Sequence, residues 1–325
     1  PYLVSFRSTA HSGHRKLPLP GIVASHVWSR LDLPRADRWL DGADVLHGTN
    51  YLAPPSSLPT VVSVYDCWFL AHPDLASPVV RRAGAALRRR VAAGAWIHAS
   101  SDATADRVRD LLATERVRTV HLGAPDVDET TVERPAVADD LGSRPFVVCV
   151  ATEERRKGLR LLVDAFDLLA RDHPEVALVL AGAAGDDSDA VTAAIDRTGR
   201  ATRSRIHRIG VVDESAKRWL VRHAAVLAYP SVDEGFGFPV LEAQVLATPV
   251  VATSVGSVTE VAGDAAELVD GRDPSTFAEA IDRVLADDAR RLALIEAGRR
   301  NVERFRWDTA AGHLTDLYRD AVADR

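Results

Sequence analysis

The sequence predicts an α/β protein of two doubly wound domains, and three observations carry that expectation. The chain has 325 residues, about twice the ~150 expected of a single domain. From Phe146 onward, short apolar runs alternate with segments of helical period, the order that builds a parallel sheet with crossover helices. The first half repeats the theme less regularly, and a stretch rich in Asp, Glu, Pro and Thr at 125–145 separates the halves as a solvated connection.

In the first half, candidate strands fall at 2–6, 44–47, 60–64, 96–99 and 117–121. In the second they fall at 146–150, 176–181, 205–209, 225–229 and 249–253, each short and apolar enough for a buried strand. The amphipathic segments between them, at 159–170, 188–198, 213–224 and 239–247, read as the crossover helices. After these, 307–322 sets Ala310, Leu314, Leu317 and Ala321 at helical spacing, which requires a surface to pack on. The expected division is a first domain at 1–140, a second at 141–306 and a closing helix at 307–325. Ligands of such sheets bind at the carboxyl ends of the strands, so the cleft between two facing domains is the default site.

Composition narrows the function. With 46% hydrophobic and 26% charged residues the chain is neither disordered nor fibrous. A net charge of −6 gives no general attraction to nucleic acid, whose binding rests on phosphate neutralisation. Cys67 and Cys149 form no CxxC or Cys/His metal spacing, which fits a reducing cytoplasm. No apolar run approaches the ~20 residues that span a bilayer, so any membrane contact is expected to be peripheral. Methionine is absent even at position 1, and the first domain is expected to be incomplete at its start.

Chemistry concentrates in two segments. The run from Pro230 to Ala243, Pro-Ser-Val-Asp-Glu-Gly-Phe-Gly-Phe-Pro-Val-Leu-Glu-Ala, follows a strand and opens a helix. Pro239 suits the first helical turn, and Gly235 and Gly237 let the backbone approach a ligand, so the free N–H groups of the helix start form a seat for an anion. Glu234 and Glu242 stand eight positions apart beside that seat. Two carboxylates repel phosphate but accept hydrogen bonds from sugar and ribose hydroxyls. The plainer alternatives are a loop charge for Glu234 and a solvated helix residue favoured by the dipole for Glu242.

The second segment, Glu153-Glu154-Arg155-Arg156-Lys157-Gly158, lies between the first strand and first helix of the second domain. An Arg fork and a Lys point charge would stabilise a departing diphosphate there. A solvated polar loop is the competing reading. Only Lys16, Lys157 and Lys217 are lysines among 40 basic residues, leaving 37 arginines, so a lysine at 157 is unusual for this chain.

The run from Glu234 to Glu242 resembles the Glu-(seven residues)-Glu signature of retaining GT-B glycosyltransferases, specifically glycosyltransferase family four. The resemblance implies a GT-B fold: two Rossmann-like doubly wound domains facing a central cleft, with the last helix crossing back to the N-terminal domain. It also implies that Glu234 touches the donor sugar, that the backbone at Gly235, Phe236 and Gly237 meets sugar and diphosphate, and that Glu242 holds the ribose. Arg156 and Lys157 match the family's diphosphate-binding pair, with Arg155 a weaker candidate. Base contacts are expected from the backbone near Gly210 and Val211. Further similarities are Asp44-Val45-Leu46-His47-Gly48-Thr49-Asn50 followed by Pro54-Pro55, then Tyr65-Asp66, and Phe305-Arg306-Trp307. They place His47 and Asn50 among the substrate contacts and Tyr65 and Asp66 near the reaction.

Two departures stand out. Many relatives carry His-Asp where this chain has Tyr65-Asp66, so an imidazole near the donor sugar is replaced by a phenol. The family's first strand and its Gly-rich acceptor loop are not recognisable.

Three other features bear on function. Arg81, Arg82, Arg88, Arg89 and Arg90 form a basic cluster on a helix, read as a solvated face or as a patch for anionic head groups or a phosphorylated acceptor. Asp187-Ser188-Asp189 has the look of a metal-binding Asp-x-Asp, but Ser188 as a helix cap is the simpler reading, and no metal site is expected. Gly182-Ala183-Ala184-Gly185 does not complete a dinucleotide fingerprint.

The expected function is retaining transfer of a mannose- or glucose-type hexose from a GDP- or UDP-sugar to a hydroxyl of a glycan or lipid-linked acceptor, with no permanently bound cofactor. The alternatives are a catalytically silent nucleotide- or glycan-binding partner protein and a nucleotide-sugar epimerase.

Overall fold

The computed structural model describes residues 2–4, 14–16, 20–126 and 133–324. The chain divides into two units, Pro1–Leu122 with Trp307–Arg325, and Gly123–Arg306.

In the first unit, β1 (Tyr2–Val4) and β2 (His14–Lys16) pair in parallel as a small sheet of their own. Ser5 and Phe6 of the expected strand at 2–6 lie outside the described residues. Helix α1 (Gly21–Trp28) and a 3-10 turn at Asp37–Trp39 lead to β3 (Leu46–Gly48) and β4 (Thr60–Val64). Then come α2 (Trp68–Ala71), α3 (Pro78–Ala92), β5 (Trp96–Ala99), α4 (Asp102–Leu112) and β6 (Val117–Thr119). The four strands from β3 to β6 lie side by side in chain order, all parallel. Local chemistry sets the helix starts: Ser77 accepts from the Val80 N–H with Pro78 next to it, and Ser101 accepts from the Thr104 N–H.

The second unit begins with α5 (Val137–Leu141) and β7 (Phe146–Val150). A 3-10 turn at Arg155–Lys157 leads into α6 (Leu159–Asp172), followed by β8 (Ala177–Ala181), α7 (Ser188–Arg197), α8 (Arg200–Arg203) and β9 (Ile206–Gly210). Next are α9 (Glu214–His223), β10 (Val226–Tyr229), α10 (Phe238–Val245), β11 (Val250–Thr253), α11 (Ser257–Ala262) and β12 (Glu267–Val269). Helices α12 (Pro274–Ala286) and α13 (Asp288–Val302) complete it. The parallel sheet runs β12-β11-β10-β7-β8-β9. Its strands read as unbroken apolar runs because both faces are covered. Val147 and Cys149 face a core with Phe166 and Phe277, while Phe146 and Val148 face one with Leu220 and Val240.

Two details differ from the sequence reading. The units divide at Gly123, and the stretch at 125–145 contains α5, whose Val137, Ala138 and Leu141 are buried, the first and last of them in the core with Leu220 and Val240. Five residues are too few to display a period, which is why this helix is silent in the sequence. Ser188 is the first residue of α7 and not its cap; its hydroxyl accepts from the Gly185 N–H, and Asp187 pairs with Arg160. Both cysteines are buried and free.

Helix α14 (Trp307–Ala323) belongs to the first unit. Its Leu317 and Ala321 pack on Val61 of β4, and Asp320 and Asp324 pair with Arg118 and Arg116. No helix among the described residues is long and apolar enough to cross a membrane.

Candidate active site

In the second unit the sheet order reverses between β7 and β10, which are hydrogen-bonded neighbours although β8 and β9 intervene in sequence. The connections leaving their carboxyl ends part to opposite faces, and such a point is where open α/β sheets hold ligands. Both charged segments singled out above leave from it. The Val232 N–H donates to the Arg156 carbonyl at 2.7 Å, stitching the two loops together. Gly158 stands at φ +66°, and a Cβ there would lie 2.0 Å from the Pro230 carbonyl oxygen, so only glycine lets the loops touch.

That approach brings the side chains together. Lys157 Nζ lies 2.5 Å from Glu234 Oε1, and Arg156 Nη1 lies 3.4 Å from Glu234 Oε2. Arg156 Nε also reaches Glu154 Oε2 at 2.7 Å. The Glu234 side chain is only 7% exposed, and the Ser257 hydroxyl at the start of α11 donates to its backbone carbonyl at 2.9 Å. Beneath the lysine lies the Tyr229 ring, 5.7 Å from Nζ. Burial and the neighbouring Glu234 carboxylate push the Tyr229 phenol well above its ordinary range, so it remains neutral. Glu153 faces away and holds the loop: its carboxylate is gripped by the Arg208 guanidinium, which keeps it below the usual range, and its carbonyl accepts from the Asp187 N–H. Two cations thus share a nearly buried carboxylate, and an anionic ligand with hydroxyls could take over both partners.

Gly237 occupies the N-cap of α10 at φ +91°, with Pro239 in the first turn. Phe236 is buried against Phe238 and Phe305. Glu242, one turn into α10, meets Lys217 of α9, with Nζ 2.8 Å from Oε1. Gly210 ends β9 at φ +71°, and the neighbouring Val211 is 75% exposed.

The family model for glycosyl transferases group 1 matches residues 136–301, which is 166 of the 325 residues. The chain belongs to that family. Among curated glycosyl transferases, D-inositol 3-phosphate glycosyltransferase of Xylanimonas cellulosilytica is 34% identical over 215 residues, covering 62% of this chain and 49% of the relative. O-antigen chain mannosyltransferase B of Escherichia coli is 30% identical over 175 residues, covering 54% and 45%. The chain thus spans about half the length of these relatives, or less. Among solved structures, sucrose-phosphate synthase from Thermosynechococcus elongatus superposes with a TM-score of 0.67 at 21% identity, covering 87% of this chain and 75% of the other. Anabaena Alr3699/HepE, in complex with UDP and glucose, gives 0.64 at 21%, covering 80% and 71%. The fold is the GT-B fold of these proteins.

In this group 1 member, two of the residues expected from the first unit, His47 and Tyr65, line one cavity, whereas Asn50 and Asp66 are not part of its lining. His47 is engaged on both ring nitrogens: Nδ1 lies 2.6 Å from the Tyr318 hydroxyl on α14, and Nε2 lies 2.8 Å from Ser63 Oγ. Ser63 Oγ lies 2.7 Å from His98 Nδ1, and His98 Nε2 lies 3.0 Å from the Val120 carbonyl. The carbonyl can only accept, which sets the direction of the chain: His98 donates to Val120, Ser63 to His98, His47 to Ser63 and Tyr318 to His47. Burial holds His98 below its ordinary value and, with His98 nearby, holds His47 down to about 4, so both imidazoles are neutral. Tyr65 stands edge-on to His98 at 6.1 Å. Together with Trp28, Leu314 and Tyr318 these groups line a cavity of about 790 Å³. Asp66 Oδ1 accepts from the Trp68 N–H ahead of α2, and Asn50 is exposed in the turn after β3. Lys217, Ser63, His98 and Tyr318 are absent from the sequence reading of the site.

Arg81, Arg82, Arg88 and Arg89 lie along one side of α3, where Arg81 and Arg88 donate to the Ala76 and Leu111 carbonyls, while Arg90 is buried and, like Arg89, pairs with the exposed Asp32.

Proposed function

We propose that this chain carries out retaining transfer of a hexose from a nucleoside diphosphate sugar to a hydroxyl acceptor, as a member of glycosyltransferase family four. The observation that carries the reading is the meeting of Arg156, Lys157 and Glu234 at the switch point between β7 and β10. In this reading Arg156 and Lys157 take the diphosphate, Glu234 turns to the sugar hydroxyls, and the N–H groups at Gly235, Phe236 and Gly237 face sugar and phosphate. Glu242 receives the ribose, and the base lies along Gly210 and Val211. Tyr65 and Asp66 act near the reacting centre, Tyr65 where relatives hold an imidazole near the donor sugar, and His47 and Asn50 contact substrate. The bond from the anomeric carbon to the phosphate oxygen breaks, the acceptor oxygen bonds to that carbon on the same face, and the acceptor proton passes to the departing phosphate. No metal is required by this scheme. A UDP- or GDP-hexose is the favoured donor, supported by the UDP and glucose in the Anabaena structure and by the mannosyl transfer in the name of the Escherichia coli relative.

The test is a thermal-shift titration with UDP, GDP, ADP and dTDP on the chain and on Lys157→Ala. Binding at ~100 times the dissociation constant adds ~2.7 kcal/mol. One nucleotide should raise the melting temperature and the variant should blunt the rise. An inverted anomeric product would overturn the same-face mechanism, and no response to any nucleotide would overturn the donor site. Tyr65 in place of the relatives' histidine favours a second reading, a silent binding partner. Nucleotide binding without transfer, with turnover restored by Tyr65→His, would select it.

A further inference from the structure

The two lysines of the second unit, Lys157 and Lys217, each hold one member of the Glu234 and Glu242 pair, in a chain whose other basic residues, apart from Lys16, are 37 arginines. Asp213 caps α9 through the Ala216 N–H, which places Glu214 and Lys217 in its first turns, at the carboxyl end of the sheet where α10 also starts. Lys217 Nζ lies 2.8 Å from Glu242 Oε1 and 2.9 Å from Glu214 Oε2. The side chains of Lys217 and Glu242 are each 18% exposed, whereas that of Glu214 is 72% exposed, so the inner pair is the shielded one. The Glu242 carboxylate accepts no other hydrogen bond among the described residues.

The choice of lysine has a geometric consequence. A carboxylate offers about four lone-pair sites on two oxygens, and an ammonium is a point donor that can sit on one of them. A guanidinium presents a planar fork that matches both oxygens at once and leaves little acceptor capacity for anything else. A lysine here steadies the carboxylate, neutralises its charge beside a site meant for phosphates, and leaves Oε2 to accept.

We infer that Lys217 is a positioning residue for nucleotide binding: it holds Glu242 by one oxygen so that the other accepts the ribose hydroxyls, and so makes the site select ribo- over deoxyribonucleotides. The inference rests on the proposal that Glu242 meets the ribose.

The test compares UDP with 2′-deoxy-UDP, and GDP with 2′-deoxy-GDP, by titration calorimetry on the full chain and on Lys217→Arg, Lys217→Met and Glu242→Ala. The wild-type chain should favour the ribo form of its nucleotide by about tenfold, the scale of a hydrogen bond to a charged group. Lys217→Arg, which keeps the charge and the link between α9 and α10, should cut that preference at least about threefold, with deoxynucleotide affinity unchanged within about twofold. Lys217→Met should do the same, with its melting temperature checked for folding. If Glu242→Ala abolishes the preference while both lysine variants retain it, Lys217 is only a helix-to-helix tie and the inference falls alone. If Glu242→Ala leaves the preference intact, the ribose assignment falls and takes the inference with it.

Discussion

Replacing His47 with glutamine should flatten the acid sensitivity of the first unit. His47 is held at about 4, against an ordinary 6.5, first by burial and then by His98. Between those values the folded chain binds fewer protons at this site than the unfolded chain does. The stability from keeping the ring neutral is therefore complete above about pH 6.5 and is lost as the pH falls towards 4. At ~1.36 kcal/mol per pH unit the whole shift is worth ~3.4 kcal/mol, an upper value because the ring keeps some contact with solvent. Of this, ~2 kcal/mol is lost between pH 7 and pH 5. Glutamine can donate and accept but does not titrate in this range. Urea unfolding followed by tryptophan fluorescence reads the effect in the right place, because Trp28, Trp39, Trp68, Trp96 and Trp307 belong to the first unit and only Trp219 to the second. The wild-type chain should lose ~2 kcal/mol more than His47→Gln from pH 7 to pH 5. Parallel profiles, within ~0.5 kcal/mol, would mean that the ring charges without penalty and that the directed chain from Tyr318 to Val120 is not held in the neutral form.

Three further outcomes follow from the second unit. Glu234→Gln removes the carboxylate that occupies Lys157 and Arg156, so it should tighten binding of a sugar-free nucleoside diphosphate at least about threefold by calorimetry while transfer is lost; weaker binding would sink the idea that the carboxylate competes with phosphate. Gly158→Ala sets a Cβ 2.0 Å from the Pro230 carbonyl oxygen at a positive φ, and should cost about 2 kcal/mol or more in thermal unfolding and blunt nucleotide stabilisation. Asn301 Nδ2 donates to Gln244 Oε1 and to the Val261 carbonyl, both at 2.8 Å in the core, so Asn301→Ala should lower stability by about 2 kcal/mol, with an unchanged melting curve as the refuting result.

The parts of the fold legible in the sequence are those whose burial is uniform. Val147, Val148, Leu178, Val179, Val226 and Leu227 are shielded on both faces, so β7, β8 and β10 announce themselves as apolar runs. β12 has three residues, two of them only partly buried, and offers neither alternation nor a run. The same logic applies to the candidate site. Arg156, Lys157 and Glu234 lie in two short segments whose residue types suggest a shared ligand before any contact is known. The partners of Glu242 and His47 lie elsewhere: Lys217 is 25 positions away on another helix, and Tyr318 is 271 positions away. No local window contains such pairs, and the scarcity of lysine was the one hint that Lys217 mattered.

The placement of α14 also dictates an order of assembly. The second unit is one uninterrupted stretch of chain, Gly123–Arg306, whereas the first is built from segments on either side of it. During synthesis at roughly 5–20 residues per second, β3 to β6 emerge early and wait for Leu317, Tyr318 and Ala321 to be made. Once the stretch from Gly123 has folded, the span to be closed is a compact body and not a loose loop, which lowers the entropic cost of bringing α14 home. The sheet of the first unit therefore has Val61 and His47 uncovered until α14, made after the whole of the second unit, arrives to seal them.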